Sequence, residues 1–436
     1  MQQKIPFPPP RYSYYSWIVW GISVLFVFYK YMLEVSPSII VHKLMSDFHA
    51  SAGALGHIAA SYYYAYMIMQ IPAGLLIDTY GPKKMATMGL LVCSSGALLF
   101  GMSSHIFIAG VSRFLIGIGA SFAVLNTLKL TANWFPAKKF SLLIGLMMTL
   151  GTLGAVLGQG PLSYFINLLG SWRNAINCLV VIGFILTLFF YLIVRDRPKF
   201  IVHEENFQVP KPKKVPIKTA LISILKKPQT WILSIYSGLA FAPVTTFGGL
   251  WGINFLETKY HFDHTTASYL TSTVFIGFAI GAPVFGWFSN LLGRRKPIMM
   301  IGTIVSFLLL SLLLYSPSLS STATATLLLL FGFSISSFLL SFTVIHEINI
   351  PIVTATAIGI MNTFNGFFGA VTDPLVGIFL DLGWDKQMFQ GAPLFSAQNY
   401  LVSLSVLPLY LFLSLGLLYF VKETHCKQVT EETEVT

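Results

Sequence analysis

Charge is what this sequence has least of. Only 10% of its residues are Asp, Glu, Lys or Arg, and acids number 16 in 436 residues, against 55% hydrophobic residues. A mean hydropathy of +0.73 excludes an ordinary soluble domain. Cysteine is scarce as well. Cys93, Cys178 and Cys426 stand at no metal-ligand spacing, which leaves no disulfide framework and no zinc site, so free thiols are expected. No His-Glu-x-x-His run, nucleophile elbow or phosphate-binding loop occurs. Enzyme activity, a metal, a cofactor and direct ATP drive are therefore not expected. A cleavable signal peptide is not expected either, because Met1 to Arg11 is polar and Pro-rich and the first apolar run is too long for a signal core.

Long apolar runs are what the chain has in abundance. Crossing a bilayer takes about 20 mostly apolar residues. Stretches of that length lie near 16–42, 52–78, 85–104, 107–133, 140–166, 172–194, 231–257, 266–290, 297–316, 322–346, 353–381 and 397–421. Lipid offers no partner to a backbone amide, so such runs must be helices. The fold class that follows is an all-α membrane protein with twelve transmembrane helices in two six-helix bundles. The bundles occupy residues 1–194 and 230–422. A linker at 195–229 joins them, and a polar, acidic tail at 423–436 is expected to be disordered. Within the linker, Ile217 to Lys227 reads either as a short helix on the lipid surface or as a solvated connection. The far-side loops at Ser103–Ile106, Leu168–Trp172 and Tyr315–Ser321 are short, which leaves the working parts inside the bundle.

The net charge of +11 invites a nucleic-acid reading, but its distribution opposes one. With the N-terminus in the cytoplasm, about 20 Lys and Arg fall on that side and about 4 on the other, the positive-inside pattern. The partners expected are therefore the lipid bilayer, a small molecule and protons, with no nucleic acid. A monomer in a bacterial inner membrane, both termini cytoplasmic, is the simplest arrangement.

A duplicated phrase sets the halves in register. Gly74-Leu-Leu-Ile-Asp78-Thr-Tyr-Gly81-Pro-Lys83-Lys84 follows the second span, and Gly286-Trp-Phe-Ser-Asn290-Leu-Leu-Gly293-Arg294-Arg295-Lys296 follows the eighth. The glycines permit a tight turn and the basic residues anchor it at an anionic surface. Asp78 is placed to pair with a basic group, and Asn290 in the second copy predicts a weaker interaction there. Such turns would hold one conformation shut, and two like bundles can rock about a shared central site.

Ionisable residues inside spans mark that site, because each costs roughly 2.5–3.5 kcal/mol to insert. In the first span Lys30 and Glu34 stand one turn apart on one face. They either neutralise each other or line the cavity and hold a charged substrate. The fourth span carries Arg113, Asn126 and Lys129. Arg113 either clamps a substrate carboxylate or ties down Glu34; Lys129 lines the path or snorkels to the surface. The second span offers Tyr62 and Tyr66 on one face and His57 near its outer end, an interfacial residue or a proton relay. In the second half, Asp373 is the clearest intramembrane acid and a candidate proton acceptor; Trp251 and Asn362 are candidate lining residues. Glycines at 151, 154, 158 and 160 suit the fifth span for close packing.

The two basic turns, with Arg113-Phe-Leu-Ile-Gly117-Ile-Gly119 through Trp134-Phe-Pro136, resemble the signatures of the major facilitator superfamily. The resemblance covers nearly the whole chain and implies two pseudo-symmetric bundles working by alternating access. Tyr62 to Gly74, Leu250 to Leu256 and Ala355 to Asn362 are similar to segments of the phagosomal transporter family, nutrient importers of intravacuolar bacteria. That likeness implies amino-acid import, with Glu34 toward an ammonium and Arg113 or Lys30 toward a carboxylate. A second reading counts Lys30, Arg113 and Lys129 against Glu34 and favours a polycarboxylate or a carboxylate siderophore. Drug export ranks below both, since the candidate lining is polar.

Overall fold

The computed structural model of the chain describes residues 14–135, 137–197, 224–349 and 351–427. Most of the linker, with most of the segment expected to lie on the lipid surface, falls outside them. Among the described residues, eleven elements are long and apolar enough to cross a membrane. The helix Ala52–Tyr80 completes the twelve with 29 residues. Its tyrosine run, His57 and Gln70 dilute its hydropathy, and its long contacts with Ile106–Trp134 and Pro351–Leu382 shelter those polar groups from lipid. In chain order, spans 1 to 6 are Tyr14–Phe48, Ala52–Tyr80, Pro82–Met102, Ile106–Trp134, Ala137–Leu157 with Gly160–Leu169, and Trp172–Ile193. Spans 7 to 12 are Pro228–Tyr260, His264–Leu292, Lys296–Tyr315, Ser321–Glu347, Pro351–Leu382 and Ala397–Phe420. An even number of crossings returns both ends to one side, here called the terminal face; the other is the far face.

Without a hydrophobic effect to drive helices together in lipid, close backbone approach does the work. A Cβ on Gly154 of span 5 would stand 2.0 Å from the carbonyl oxygen of Phe28 in span 1, and one on Gly117 of span 4 would stand 2.3 Å from that of Tyr62. The second half repeats the device: Gly332 of span 10 and Gly277 of span 8 each leave 1.9 Å to a carbonyl of the other helix. Spans 1, 5, 7 and 12 break at or beside a proline, which withholds a donor from the helix ladder. After Pro243, span 7 widens into a π-helix from Val244 to Trp251 before resuming as an α-helix at Gly252.

The halves meet from the bilayer middle to the far face. Asp381 of span 11 accepts from the free amides of Ala52 and Gly53 at 2.9 and 2.7 Å, capping span 2 from the opposite half. Ser46 Oγ donates to the carbonyl of Gln390 at 2.9 Å, and Asn167 Nδ2 to Thr265 Oγ1 at 3.1 Å. Tyr64 Oη donates to the carbonyl of Ala370 at 3.3 Å and Thr149 Oγ1 to that of Ala279 at 3.4 Å. One far-side loop is longer than the short loops expected from sequence. Between spans 11 and 12 a hairpin pairs β1 (Met388–Phe389) with β2 (Ala392–Pro393). Its two turn residues, Gln390 and Gly391, have φ of 50° and 79°, the positive values that a two-residue hairpin needs.

The expected disorder of the tail is corrected at its start. Glu423 accepts from the amides of Arg295 and Lys296 at 2.9 and 3.0 Å, capping span 9. Asp196, just after span 6, receives the amide of Lys83 at 2.6 Å and caps span 3 in the same manner. An acid following the last span of each half thus closes that half's basic turn.

Candidate functional site

Span 1 supplies the centre. Lys30 Nζ lies 2.6 Å from Glu34 Oε2, and the residues are only 4% and 8% exposed. The carboxylate also receives the hydroxyls of Tyr62 and Tyr63, one on each oxygen, both at 3.1 Å. The ammonium sits 3.7 Å from the ring centre of Tyr31 and 5.1 Å from that of Tyr66. Tyr62 and Tyr66 stack at 6.0 Å with 14° between planes, the shared face expected of them. Tyr63 reaches the other half: a Cβ on Gly249 of span 7 would stand 4.0 Å from its hydroxyl, and one on Gly369 of span 11 would stand 3.7 Å from its ring.

Arg113 reaches the backbone of span 1 rather than the Glu34 carboxylate. Its guanidinium donates to the carbonyls of Leu33 at 2.7 Å and Glu34 at 3.1 Å. Pro37 explains the target. Having no amide hydrogen, it cannot serve the Leu33 carbonyl four residues back, and the helix ends at Val35. A guanidinium at a helix C-terminus satisfies these orphan oxygens and the negative end of the dipole. Arg113 also lies 5.1 Å from the Tyr62 ring centre. It therefore fixes Glu34 through the main chain.

Span 11 carries Asp373, buried, with Thr246 Oγ1 of the π-helix donating to it at 2.7 Å. Trp251 is fully buried and donates its ring N–H to the Asp373 carbonyl at 3.3 Å. Asn126 is buried with neither amide atom bonded, whereas Asn362 is half-buried. His57 is exposed, its ring 3.5 Å from Tyr64 Oη, and stands apart from the central ion pair.

Both basic turns act within their own half. Asp78 pairs with Lys129 at 2.7 Å across spans 2 and 4, so Lys129 is held in an ion pair. Gly81, with φ of 87°, turns the chain, and Lys84 lies over the Tyr80 ring at 5.2 Å. Gly74 and Gly286 face open space, whereas Gly81 and Gly293 take the positive φ of the turns. In the second copy Asn290 gives a neutral hydrogen bond, and the charge comes from outside the repeated phrase, from Glu347 of span 10. Arg295 binds Asn290 Oδ1 at 2.7 Å and Glu347 at 2.9 Å, and this ion pair is 7% exposed on both sides, against 41% and 65% for Lys129 and Asp78. Arg294 beside it is exposed.

Sequence reasoning missed three groups that join the halves. Gln159, at the break of span 5, donates to Ser38 Oγ at 3.2 Å and to the carbonyl of Gly248. Asp381 was passed over because a cap looks like any boundary acid. His264, Glu257 and His42 meet at the far face, where His264 Nδ1 lies 2.6 Å from Glu257 Oε1. A glutamine between glycines and a proline was the one legible signal among them.

A buried ion pair between two like helical bundles suits a carrier, and comparison with known proteins agrees. The family profile of the Major Facilitator Superfamily matches residues 19–373 and 239–425. The chain belongs to the major facilitator superfamily. It is 27% identical to the uncharacterized transporter YybO of Bacillus subtilis over 66% of this chain and 67% of that one. It is 25% identical to the probable sulfoacetate transporter SauU of Cupriavidus necator over 42% of each chain, and 24% identical to the hexuronate transporter of Bacillus subtilis over 62% and 65%. The match thus spans less than half of the SauU chain. The fold is that of a bacterial homologue of the human lysosomal transporter Spinster, crystallised inward-facing and unoccupied. The TM-score is 0.78, at 14% identity, over 96% of this chain and 99% of that one. Membership makes the protein a multi-pass membrane transporter acting on small molecules.

Proposed function

We propose that the protein imports a small organic carboxylate together with a proton, by alternating access. The observation that carries this reading is the buried Lys30–Glu34 pair, braced by Tyr62 and Tyr63. A carboxylate entering the site competes with Glu34 for the one ammonium there. Displaced from its cation in a dry site, Glu34 takes up a proton rather than remain an unpaired buried charge. Substrate and proton then cross together, and the ion pair closes again after release. Asp373, held by Thr246, is the second proton-accepting group. Asn126, Trp251 and Asn362 border the path. We read the terminal face, rich in Lys and Arg, as the cytoplasmic side of a bacterial inner membrane and the carrier as a monomer; the ties across the far face suit an inward-facing state.

Relatives described as sulfoacetate, galactarate/D-glucarate and hexuronate transporters support the anion class. An amino acid is the second reading, favoured by an acid and a base side by side, with the substrate ammonium replacing Lys30 at Glu34. Drug export fits this polar pair least. Uptake into proteoliposomes separates them. Sulfoacetate, glucarate and hexuronate should be accumulated under an inward proton gradient, while neutral amino acids neither enter nor compete. Lys30→Ala should lower apparent affinity about ten- to hundredfold, the loss of a charge-assisted bond worth about 1.5–3 kcal/mol. Glu34→Gln should retain exchange but lose response to the gradient. Amino-acid uptake that survives Lys30→Ala would reverse the ranking.

A further inference from the structure

We propose that His264 is a proton-operated latch on the far-face gate, sharing one proton with Glu257. It rests on the alternating-access reading and adds a control that reading does not contain. His264 opens span 8, and its two ring nitrogens face two acceptors. Nδ1 lies 2.6 Å from Glu257 Oε1 in span 7, and Nε2 lies 2.8 Å from the carbonyl of Ile39 in the opposite half. A neutral imidazole carries one N–H and one lone pair, so it can serve only one of them. Both bonds form only when the His264–Glu257 unit holds an extra proton, on the imidazole or on the carboxyl. Without it, a lone pair faces either the Ile39 carbonyl or the Glu257 carboxylate.

The unit has access to water and to other charges. It borders a far-face cavity of about 730 Å³ roofed by the hairpin of β1 and β2. His42 Nε2 stands 3.9 Å from Glu257 Oε2. Lys43, Asp47, His261 and Asp385 line the same cavity, and Arg173 and Trp172 occupy Asp47 from outside it. Glu257 favours the extra proton, while Lys43 and a protonated His42 oppose it. The neighbouring tie across the gate, Asp381 on the amides of Ala52 and Gly53, needs no proton. Acid at the far face therefore adds the His264 bond that holds it shut, and a rise in pH leaves only the proton-independent ties of Asp381, Ser46 and Asn167.

Spin labels on cysteines at Ser104 and Ser318, exposed far-face loop positions in opposite halves, read the gate in nanodiscs after the native cysteines are replaced. From about pH 5 to about pH 8, where histidine titrates, the long-distance population should rise at least about fivefold, the lower end of typical couplings. His264→Ala should give the long distance at both pH values. Glu257→Gln should give the short distance at both, because its amide can donate to Nδ1 and free Nε2–H for Ile39. A wild-type population that ignores pH, or a Glu257→Gln variant that keeps the wild-type response, overturns the latch alone. A single short distance in every variant and at every pH overturns alternating access as well.

Discussion

Glu34 accepts three hydrogen bonds through side chains and is positioned by a fourth residue, Arg113, through its own backbone. This separates two kinds of loss. Arg113→Lys keeps the charge but loses the fork that spans two carbonyls, so it should lower thermal stability while leaving substrate selectivity intact. Removing one partner of a buried pair costs about 3–5 kcal/mol, so Lys30→Ala should lower the melting temperature further than the double change Lys30→Met with Glu34→Met. A scanning-fluorimetry series in detergent checks both orders. The pair was legible from sequence because i,i+4 spacing fixes its face. The target of Arg113 was not, since it depends on a carbonyl that Pro37 releases, and carbonyls leave no mark in a sequence.

At the scale of single helices, glycines set which pairs move as one body. Gly154→Leu would thrust a side chain into the Phe28 carbonyl, where even a Cβ stands at 2.0 Å. Overpacking of this kind costs about 1–3 kcal/mol, so expression and melting temperature should fall, whereas Gly74→Leu, facing open space, should be neutral. The glycine pattern of span 5 announced this seam in advance. The capping acids were hidden, because a cap on span 9 comes from more than a hundred residues away. Burial pushes the Glu423 carboxyl up, but backbone amides from Arg295, His425, Lys296 and Thr424 outweigh it and hold the group below its usual value. A depressed acid adds stability above the unfolded value, about 4.3 for Glu, and loses it as pH falls through the native one. Glu423→Gln should therefore narrow the gap to wild type in melting temperature as pH drops below about 4.3.

Across the whole molecule, twelve crossings and two bundles followed from hydropathy and the repeated turn, since lipid dictates both. The closure of one face did not, because both states of a rocking carrier share one sequence pattern. The Asp381 cap is the lever there. Losing a helix cap costs about 1 kcal/mol, which is roughly a fivefold shift in population. In Asp381→Ala, a cysteine placed at Ser36, buried here, should react about fivefold faster with an impermeant maleimide. Asp381→Asn, which keeps one acceptor oxygen for the two amides of Ala52 and Gly53, should restore protection only in part.

Two of the contacts between halves share one further trait. Ala370 and Ala279, whose carbonyls accept Tyr64 and Thr149, each stand four residues before a proline, Pro374 and Pro283. Each proline leaves a main-chain oxygen vacant, and the other bundle fills it with a hydroxyl. Mutational drift at either alanine leaves that oxygen in place. The two bundles can thus grow apart in sequence, one side chain at a time, while the hinge between them keeps the same docking points.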